Sequence, residues 1–579
     1  MAETIISPGV FQRENDISFI QPAPPAVGAA IIGPTVKGPV EVPTLVTSYN
    51  EFSRKFGLTF ESASTSQEFL TSIAAKSYFD QGGESILVSR VVPIASGWAS
   101  AQNSHISSSN KGSSQPFEIK SIGKGIIYNN STGTLDAGTE NSDNSLVSGS
   151  EDNLRWEISN VDNNQGTFTL SIRRGDDNNN QKIPLETFNN LSLDPNSPNY
   201  ISAKIGDQYK TLSSGDIITT GDYVNKSNYI YVSAVNLPTY NYLGNDGSSV
   251  GSDSAGISYS GSLPTAGSGS FHSGTGNNVQ TTNNYFGDIS TNTQGLAASD
   301  YTNIITLLGN KDEFLFNVIS APGLIDSSHG TTVDSLVSLA ETRGDCIAVV
   351  DLVGYSETTI SNVTSQAQGH NSSYAASYWP WLQVQSATGR NVWVPASTVI
   401  PGVYAFTDNS SAPWFAPAGL VRGGLVGVIQ AKKKLTRSDR DSLYNGKVNP
   451  IATFPGTGIS VFGQKTLQTK SSALDRVNVR RLLIELKKFL GDQAKNLVFE
   501  QNTIATRNRF LSAVNPYLES VVQQQGLFSY RVVMDDSNNT ADVVDRNQLV
   551  GQIFIQPART AEFIVLDFVV EPTGATFDA

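Results

Sequence analysis

At 579 residues the chain is too long for a single core, since cores rarely grow beyond about 250–300 residues. Only 16% of side chains are charged, the net charge is −13, and there are 4 His and 2 Met among abundant Gly, Ser, Asn and Thr, a composition that suits a β-rich structural protein better than a catalyst. The opening MAETIISPGV carries an acid instead of a basic leader, and no apolar run reaches the about 18 residues a membrane crossing requires, so neither a secretory signal nor a transmembrane helix is expected.

Residues 1–22 read as an extended arm, broken at Pro8 and Gly9, closed by Pro22, Pro24 and Pro25, and carrying Val10, Phe11, Ile17 and Phe19. Two short strands with Gly and Pro turns follow, then a helical pattern near 66–80 and a strand at 85–92. Between 96 and 300 the texture changes to short strands such as FEIKSIGK, RWEISNVD and NYIYVSAV, separated by Asn, Asp and Gly turns. This predicts an all-β insertion of one or two subdomains, with a weakly apolar, exposed loop near its end. From 301 the runs FLFNVISAPGL and CIAVVDLVGY flank a helix at 332–343, a strand, helix, strand unit with a parallel pair. The lone Cys346 lies in this unit; it excludes an intrachain disulfide, fits a reducing compartment and reads as a small buried hydrophobe. An irregular Pro- and Trp-rich connection leads to a helix expected at 425–443.

The longest predicted helix starts at a cap made by Ser472 and Asp475 and carries an apolar stripe of Val479, Leu482, Leu483, Leu486 and Leu490. A helix near 502–523 and strands at 529–536, 549–558 and 561–570 complete a small antiparallel meander. The fold class is therefore α+β and multidomain: an arm at 1–22, an α/β middle domain from 23–95 and 301–400, the β-rich insertion at 96–300, and an α+β C-terminal domain at 401–579.

The stretch AEFIVLDFVVEP, 561–572, has Ile564, Leu566, Phe568 and Val570 on one face and Phe563, Val565, Asp567 and Val569 on the other, so both faces call for burial. Two readings are open: a central strand of the chain's own sheet, or a strand exchanged with another copy. Charge is also uneven. Residues 430–510 hold 16 Lys and Arg against 6 acids, a local charge of +10 that leaves −23 on the remainder. Such a segment fits an acidic partner, whether nucleic acid, another protein or a neighbouring copy, or else an ordinary solvated helix face.

Catalytic patterns are scarce. His105, His272, His329 and His370 lack metal-spaced companions, and three sit in Gly-, Ser- or Asn-rich surroundings that read as surface loops. GISVFGQKT, 458–466, approaches a phosphate loop, but Gln464 stands where lysine should follow the second glycine, so a turn is expected there. No nucleophile elbow occurs, and no catalytic, cofactor or metal residues are assigned.

SPGVFQRE, GPTVKGPVEVPTLVTSYNEFSRKFG, PWFAPAGLVRGGL, LDRVNVRRLLIELKK, YRVVMDDSNNTADVVDRNQLVGQIFIQPARTAEFIVLDFVV and the closing TGATFD together resemble the tail sheath protein of contractile-tailed bacteriophages, over roughly 1–95 and 300–579. The resemblance implies a structural subunit, not an enzyme, without cofactors. It would stack as hexameric rings around an inner tail tube, assembled in the host cytoplasm into a virion tail, and contract to drive the tube through the host envelope. Partners implied are further copies, the tube protein, and baseplate and tail terminator proteins, with no direct nucleic acid and no membrane insertion. The arm at Val10, Phe11, Ile17 and Phe19 and the strand at Phe563, Ile564, Val565, Leu566, Phe568, Val569 and Val570 would join the small C-terminal sheet of other copies. The C-terminal domain would lie innermost, turning Lys432, Lys433, Lys434, Arg480, Arg481, Lys487 and Lys488 toward the tube or a neighbour. Alternatives are the sheath of a contractile injection system or bacteriocin particle, a β-rich surface adhesin, and an enzyme such as a glycan hydrolase.

Overall fold

The computed structural model describes residues 28–562, apart from 63–64, 94–96, 105, 110–114, 130–140, 142–145, 148, 214, 245, 250, 255, 257 and 277–288. The arm residues Val10 to Phe19 and the strand residues Phe563 to Val570 lie outside the described residues. No helix among the described residues is long and apolar enough to cross a membrane.

The chain begins with β1 (Ala29–Gly33), β2 (Thr44–Val46), α1 (Tyr49–Phe56), α2 (Leu70–Asp80) and β3 (Ile86–Arg90). β1 and β3 pair in parallel, and β2 runs antiparallel to β3. The helix expected at 66–80 starts only at Leu70, because Thr65–Glu68 pairs as a strand with Thr59–Ser62.

The chain then builds a second, antiparallel sheet from β4 (Ser100–Asn103), β5 (Phe117–Lys124), β6 (Leu154–Asp162), β7 (Thr167–Arg174) and β8 (Pro184–Ser192). After a side hairpin of β9 (Tyr209–Ser213) and β10 (Asp216–Thr220), β11 (Ile230–Val235) and β12 (Gly267–His272) complete it. The spatial order is β8-β7-β6-β12-β4-β5-β11. Alternation sets its two sides: in β5 Phe117, Ile119 and Ser121 are buried while Glu118, Lys120 and Lys124 are half-exposed. Inside, Phe117, Trp156, Phe168, Leu170 and Phe271 form an independent core.

Returning, the chain adds β13 (Val318–Ile325), α3 (Asp326–Arg343), β14 (Ile347–Asp351), α4 (Ile360–Gln368) and β15 (Ala375–Trp379) to the first sheet. Next come β16 (Leu382–Gln385), β17 (Asn391–Val394), α5 (Ile400–Ser410), β18 (Val428–Ala431), α6 (Arg437–Asn445), β19 (Asn449–Phe454) and β20 (Gly458–Val461). The completed eight-stranded sheet has the order β2-β3-β1-β13-β14-β15-β19-β20, parallel in its middle with an antiparallel strand at each edge. Helices cover both faces, which is why these strands read as unbroken apolar runs. Ile31, Val88, Val318 and Val349 pack toward α1, α2 and α5, while Ile32, Leu87, Ile319 and Val350 pack toward α3.

The large sheet runs through β20. Two expectations about single elements are corrected here. The helix expected at 425–443 is strand β18 followed by α6, because Val428, Gln430 and Ala431 pair with Val384, Gln383 and Leu382 of β16. GISVFGQKT opens as strand β20, antiparallel to β19, and is not a turn.

The last part consists of α7 (Val477–Lys495), α8 (Ile504–Gln523), β21 (Leu527–Val533) and β22 (Gln552–Pro557). Leu482 and Leu486 of α7 pack on Phe510, Val514 and Leu518 of α8, with Leu527 and Met534 closing this small core. Val477 and Ile484 face the other way, into the core of the large sheet. The first turns of α7 are thus covered on two sides.

Candidate functional site at the C-terminal sheet

α6 opens with a reciprocal cap: the Thr436 hydroxyl accepts from Asp439 N–H at 3.2 Å, and the Asp439 carboxylate accepts from Thr436 N–H at 3.0 Å. This fixes a short helix whose last turn carries Tyr444. The Tyr444 hydroxyl donates to Glu562 Oε2 at 2.5 Å, and Arg476, just before α7, donates to both Glu562 oxygens, Nε at 2.7 Å and Nη2 at 3.0 Å. Gln464 completes the clamp, with Nε2 donating to Glu562 Oε1 at 3.0 Å and to Thr560 Oγ1 at 2.6 Å. Burial alone would raise the Glu562 pKa, but the bonds from Arg476, Tyr444 and Gln464 together hold it below the ordinary carboxylate value. Burial and the neighbouring carboxylate push the Tyr444 phenol up. The clamp ties the end of the β22 segment to the large-sheet unit, one residue before Phe563.

Among the described residues β21 and β22 form a two-stranded antiparallel sheet. Phe528 is 79% exposed and Phe554 55% exposed. An isolated two-stranded sheet is marginal in water, and this one leans on α8 along one face only.

The seven basic residues that the resemblance turns toward the tube or a neighbouring copy fall into different environments. Arg480 and Arg481 are 4% and 3% exposed, so they do not belong to an outward face. Arg481 Nη2 donates to both oxygens of Asp408 on α5, at 2.6 and 2.5 Å, and its guanidinium lies 4.6 Å from the Tyr404 ring centroid. Burial raises the Asp408 pKa, against the opposing pull of Arg481. Arg480 stacks 3.9 Å from the Tyr374 ring and donates to the Ser373 hydroxyl. These two arginines fasten α7 to the large-sheet unit, because the helix start is covered on two sides.

Lys487 and Lys488 are exposed one turn and more further along, with Lys487 Nζ donating to the Tyr374 hydroxyl at 3.0 Å. Lys432 is half-buried over the Tyr355 ring, 3.5 Å from its centroid, and donates to the Tyr355 carbonyl. Lys433 donates to the Thr358 carbonyl at 3.2 Å, and Lys434 is exposed. Among the described residues no hydrogen bond or ion pair joins Lys432–Lys434 to the α7 group.

The described histidines are not on surface loops: His272, His329 and His370 are all buried. His370 Nε2 lies 3.0 Å from Asp326 and Nδ1 3.4 Å from Asp334, and the bond to Asp326 raises its pKa. His329 accepts from Ile325 N–H at 3.0 Å, and burial lowers its pKa. Cys346 is fully buried, which pushes its thiol up to about 12. Asp351, at the end of β14, is raised to about 7 by burial, although Ser397 N–H at 3.0 Å and the Ser397 hydroxyl both donate to it. Among the described residues no three His, Cys, Asp or Glu side chains gather as a metal site.

Sequence reasoning missed the clamp. Gln464 drew notice only for spoiling a phosphate-loop spacing, and nothing local links Tyr444 to a glutamate 118 positions away.

Comparison with known proteins adds family information. Residues 294–467 match the phage tail sheath protein central domain, and residues 469–571 match the phage tail sheath C-terminal domain. The tail sheath protein of Vibrio phage KVP40 is 42% identical over 195 residues, 34% of this chain and 29% of that protein. The tail sheath protein of Enterobacteria phage T4 is 35% identical over 285 residues, 46% of this chain and 43% of that protein. The matches thus span less than half the length of these two relatives. A crystal structure of a sheath tail protein from Listeria innocua shares the fold with a TM-score of 0.52 at 10% identity, over 92% of this chain and 96% of that one.

Proposed function

We propose that the chain is a structural subunit of a contractile tail sheath, a reading supported by the match of residues 294–467 and 469–571 to the phage tail sheath central and C-terminal domains. The observation that carries this reading is the two-stranded β21–β22 sheet, with Phe528 and Phe554 exposed and the Glu562 clamp at its exit. Strands from other copies, the arm bearing Val10, Phe11, Ile17 and Phe19 and the segment Phe563 to Val570, would add to this sheet and cover it. Each large apolar side chain so buried contributes about 1.5–3 kcal/mol, enough in sum to offset the ordering of the added strand. The clamp sets the direction in which the exchanged strand leaves its own subunit.

In this reading copies stack as hexameric rings around an inner tube, in contact with baseplate and terminator proteins, in a virion tail assembled in the host cytoplasm. The chain has no catalytic role: contraction is rigid-body motion between two packings of pre-folded units, linked by strands that stay joined. The division into an arm, an α/β unit, a β-rich outward insertion and an inner C-terminal unit belongs to the same proposal. The exposed Lys487, Lys488 and Lys434 suit the tube or a neighbouring copy, and weak surface pairs of about 0–1 kcal/mol fit contacts that must break on contraction.

Negative-stain electron microscopy of the intact chain and of a chain cut after Pro557, each with and without purified inner tube, tests the reading. Hollow helical tubes from the intact chain alone or on the tube, and none from the truncated one, are expected. Monomers of the intact chain under both conditions would overturn it.

A further inference from the structure

Between the two large sheets lies a cleft of about 1000 Å³, walled on one side by the β1–β2 connection and α1 and on the other by β5, β11 and the β9–β10 hairpin. Eight lysines and arginines line it against two carboxylates, Glu151 and Asp152, in a chain whose net charge is −13. Five of those cations, Arg54, Lys120, Lys124, Lys210 and Lys226, form no ion pair among the described residues, Lys226 donating instead to the Ala203 carbonyl at 2.7 Å. Concentrating unneutralised like charge on facing walls is unfavourable unless a counter-charge occupies the space between them.

The walls are held as a built site. Arg90, buried at the end of β3, donates to the Gly38 carbonyl at 2.7 Å on one wall and to the Lys124 carbonyl at 2.8 Å on the other. Gly38 sits at φ 115, where its carbonyl and N–H both turn inward and where a Cβ would strike Phe56. Its N–H donates to the Tyr128 hydroxyl at 3.0 Å, and Lys37 pairs with Asp152 at 2.6 Å across the same seam.

We infer that this cleft binds an acidic oligosaccharide, a short run of sugar rings bearing carboxylate, sulfate or phosphate groups. Three observations select that class. The free cations are interleaved with aromatic rings: Tyr231 stands opposite Lys120 in the β5–β11 register and stacks on Tyr209 at 5.1 Å. The lining also carries amides and hydroxyls suited to sugar hydroxyls, among them Gln208, Asn225 and Asn228. The volume matches the upper range of small-ligand pockets, about 300–1,000 Å³, and leaves no room for a folded partner. An acidic peptide added as a strand is disfavoured, because the outer edge of β11 is already engaged where Val232 N–H donates to the Gly206 carbonyl at 2.9 Å. Nucleic acid is disfavoured because Tyr209 and Tyr231, stacked on each other, present one aromatic platform, whereas a run of bases takes successive open rings.

This inference is independent of sheath assembly. It is tested by fluorescence anisotropy with the full chain and a labelled heparin hexasaccharide at about 50 mM salt, a condition that keeps charge contacts strong. Maltohexaose, hexaglutamate and a dT hexamer serve as competitors. Saturable binding at one site per chain is expected, displaced at least tenfold less well by hexaglutamate or the dT hexamer and not at all by maltohexaose. Lys120→Glu combined with Lys210→Glu should weaken it at least tenfold while leaving the thermal midpoint unchanged. A second pair, Arg54→Glu with Lys124→Gln, should do the same from the other wall and the seam. Absence of saturable binding, equal binding by both folded variants, or tighter binding of hexaglutamate or the dT hexamer would each overturn the inference.

Discussion

Replacing Glu562 by alanine removes the acceptor for four hydrogen bonds, two from Arg476, one from Tyr444 and one from Gln464, and leaves the Gln464 to Thr560 bond and the Ala558 N–H to Gly526 carbonyl bond among the described residues of this segment. Charge-assisted bonds contribute about 1.5–3 kcal/mol each when well shielded. Here the Glu562 and Arg476 side chains are 18% and 24% exposed, so water re-solvates part of what is lost. A net loss of about 2–3 kcal/mol follows for the clamp as a whole. Arg559, exposed and three residues upstream, supplies a direct reporter, since trypsin cuts there only when the segment detaches. At about 1.4 kcal/mol per tenfold, native-state cleavage after Arg559 should accelerate roughly 30- to 150-fold in Glu562→Ala. Glu562→Gln keeps the shape without the charge and should fall between. Cleavage of Glu562→Ala within threefold of the parent would refute the clamp as the anchor of this segment.

The same geometry yields further expectations. Asp408→Ala strands the buried Arg481 guanidinium and should cost about 3–5 kcal/mol in urea unfolding of the α5–α7 contact, whereas a cost under 1 kcal/mol would mean that water reaches it. Asp351 holds its proton to about 7 when folded and to about 3.9 when unfolded, so the folded state binds the extra proton between those values. Stability should therefore fall as pH rises from about 4 to about 7, by up to about 4 kcal/mol, and Asp351→Asn should flatten that slope in urea titrations across the range. Arg90→Ala removes the guanidinium bonds to the carbonyls of Val36, Gly38 and Lys124, leaving Gly38 with the Lys124 N–H at 3.2 Å, and should cost about 3–5 kcal/mol, read as a lower thermal midpoint and faster cleavage between the two large sheets.

What the sequence alone determined is the set of elements whose pattern is local. FLFNVISAPGL and CIAVVDL read as strands buried on both faces, and β13 and β14 are that, because helices cover both sides of a parallel sheet. The stripe Val479, Leu482 and Leu486 foretold α7, and turn-rich strands between 96 and 300 foretold a separate β sheet. The tail sheath resemblance was also legible, since it rests on runs of residues in order.

Tertiary structure decided whatever depends on two distant segments meeting. The resemblance turned Arg480 and Arg481 toward the tube or a neighbour, but a helix packed on two sides buries them at its start, and α5 supplies Asp408 from a stretch that reads in sequence as an irregular connection. β19 and β20 fall where the sequence read no strand, and they join the large sheet because β15 offers a free edge. The clamp unites Tyr444, Gln464, Arg476 and Glu562, and the cleft collects cations from both sheets, each unremarkable in its own segment. Periodicity records which side of an element is apolar; it carries no record of which polar groups a neighbouring element will bring, and the polar chemistry of this protein lies in those meetings.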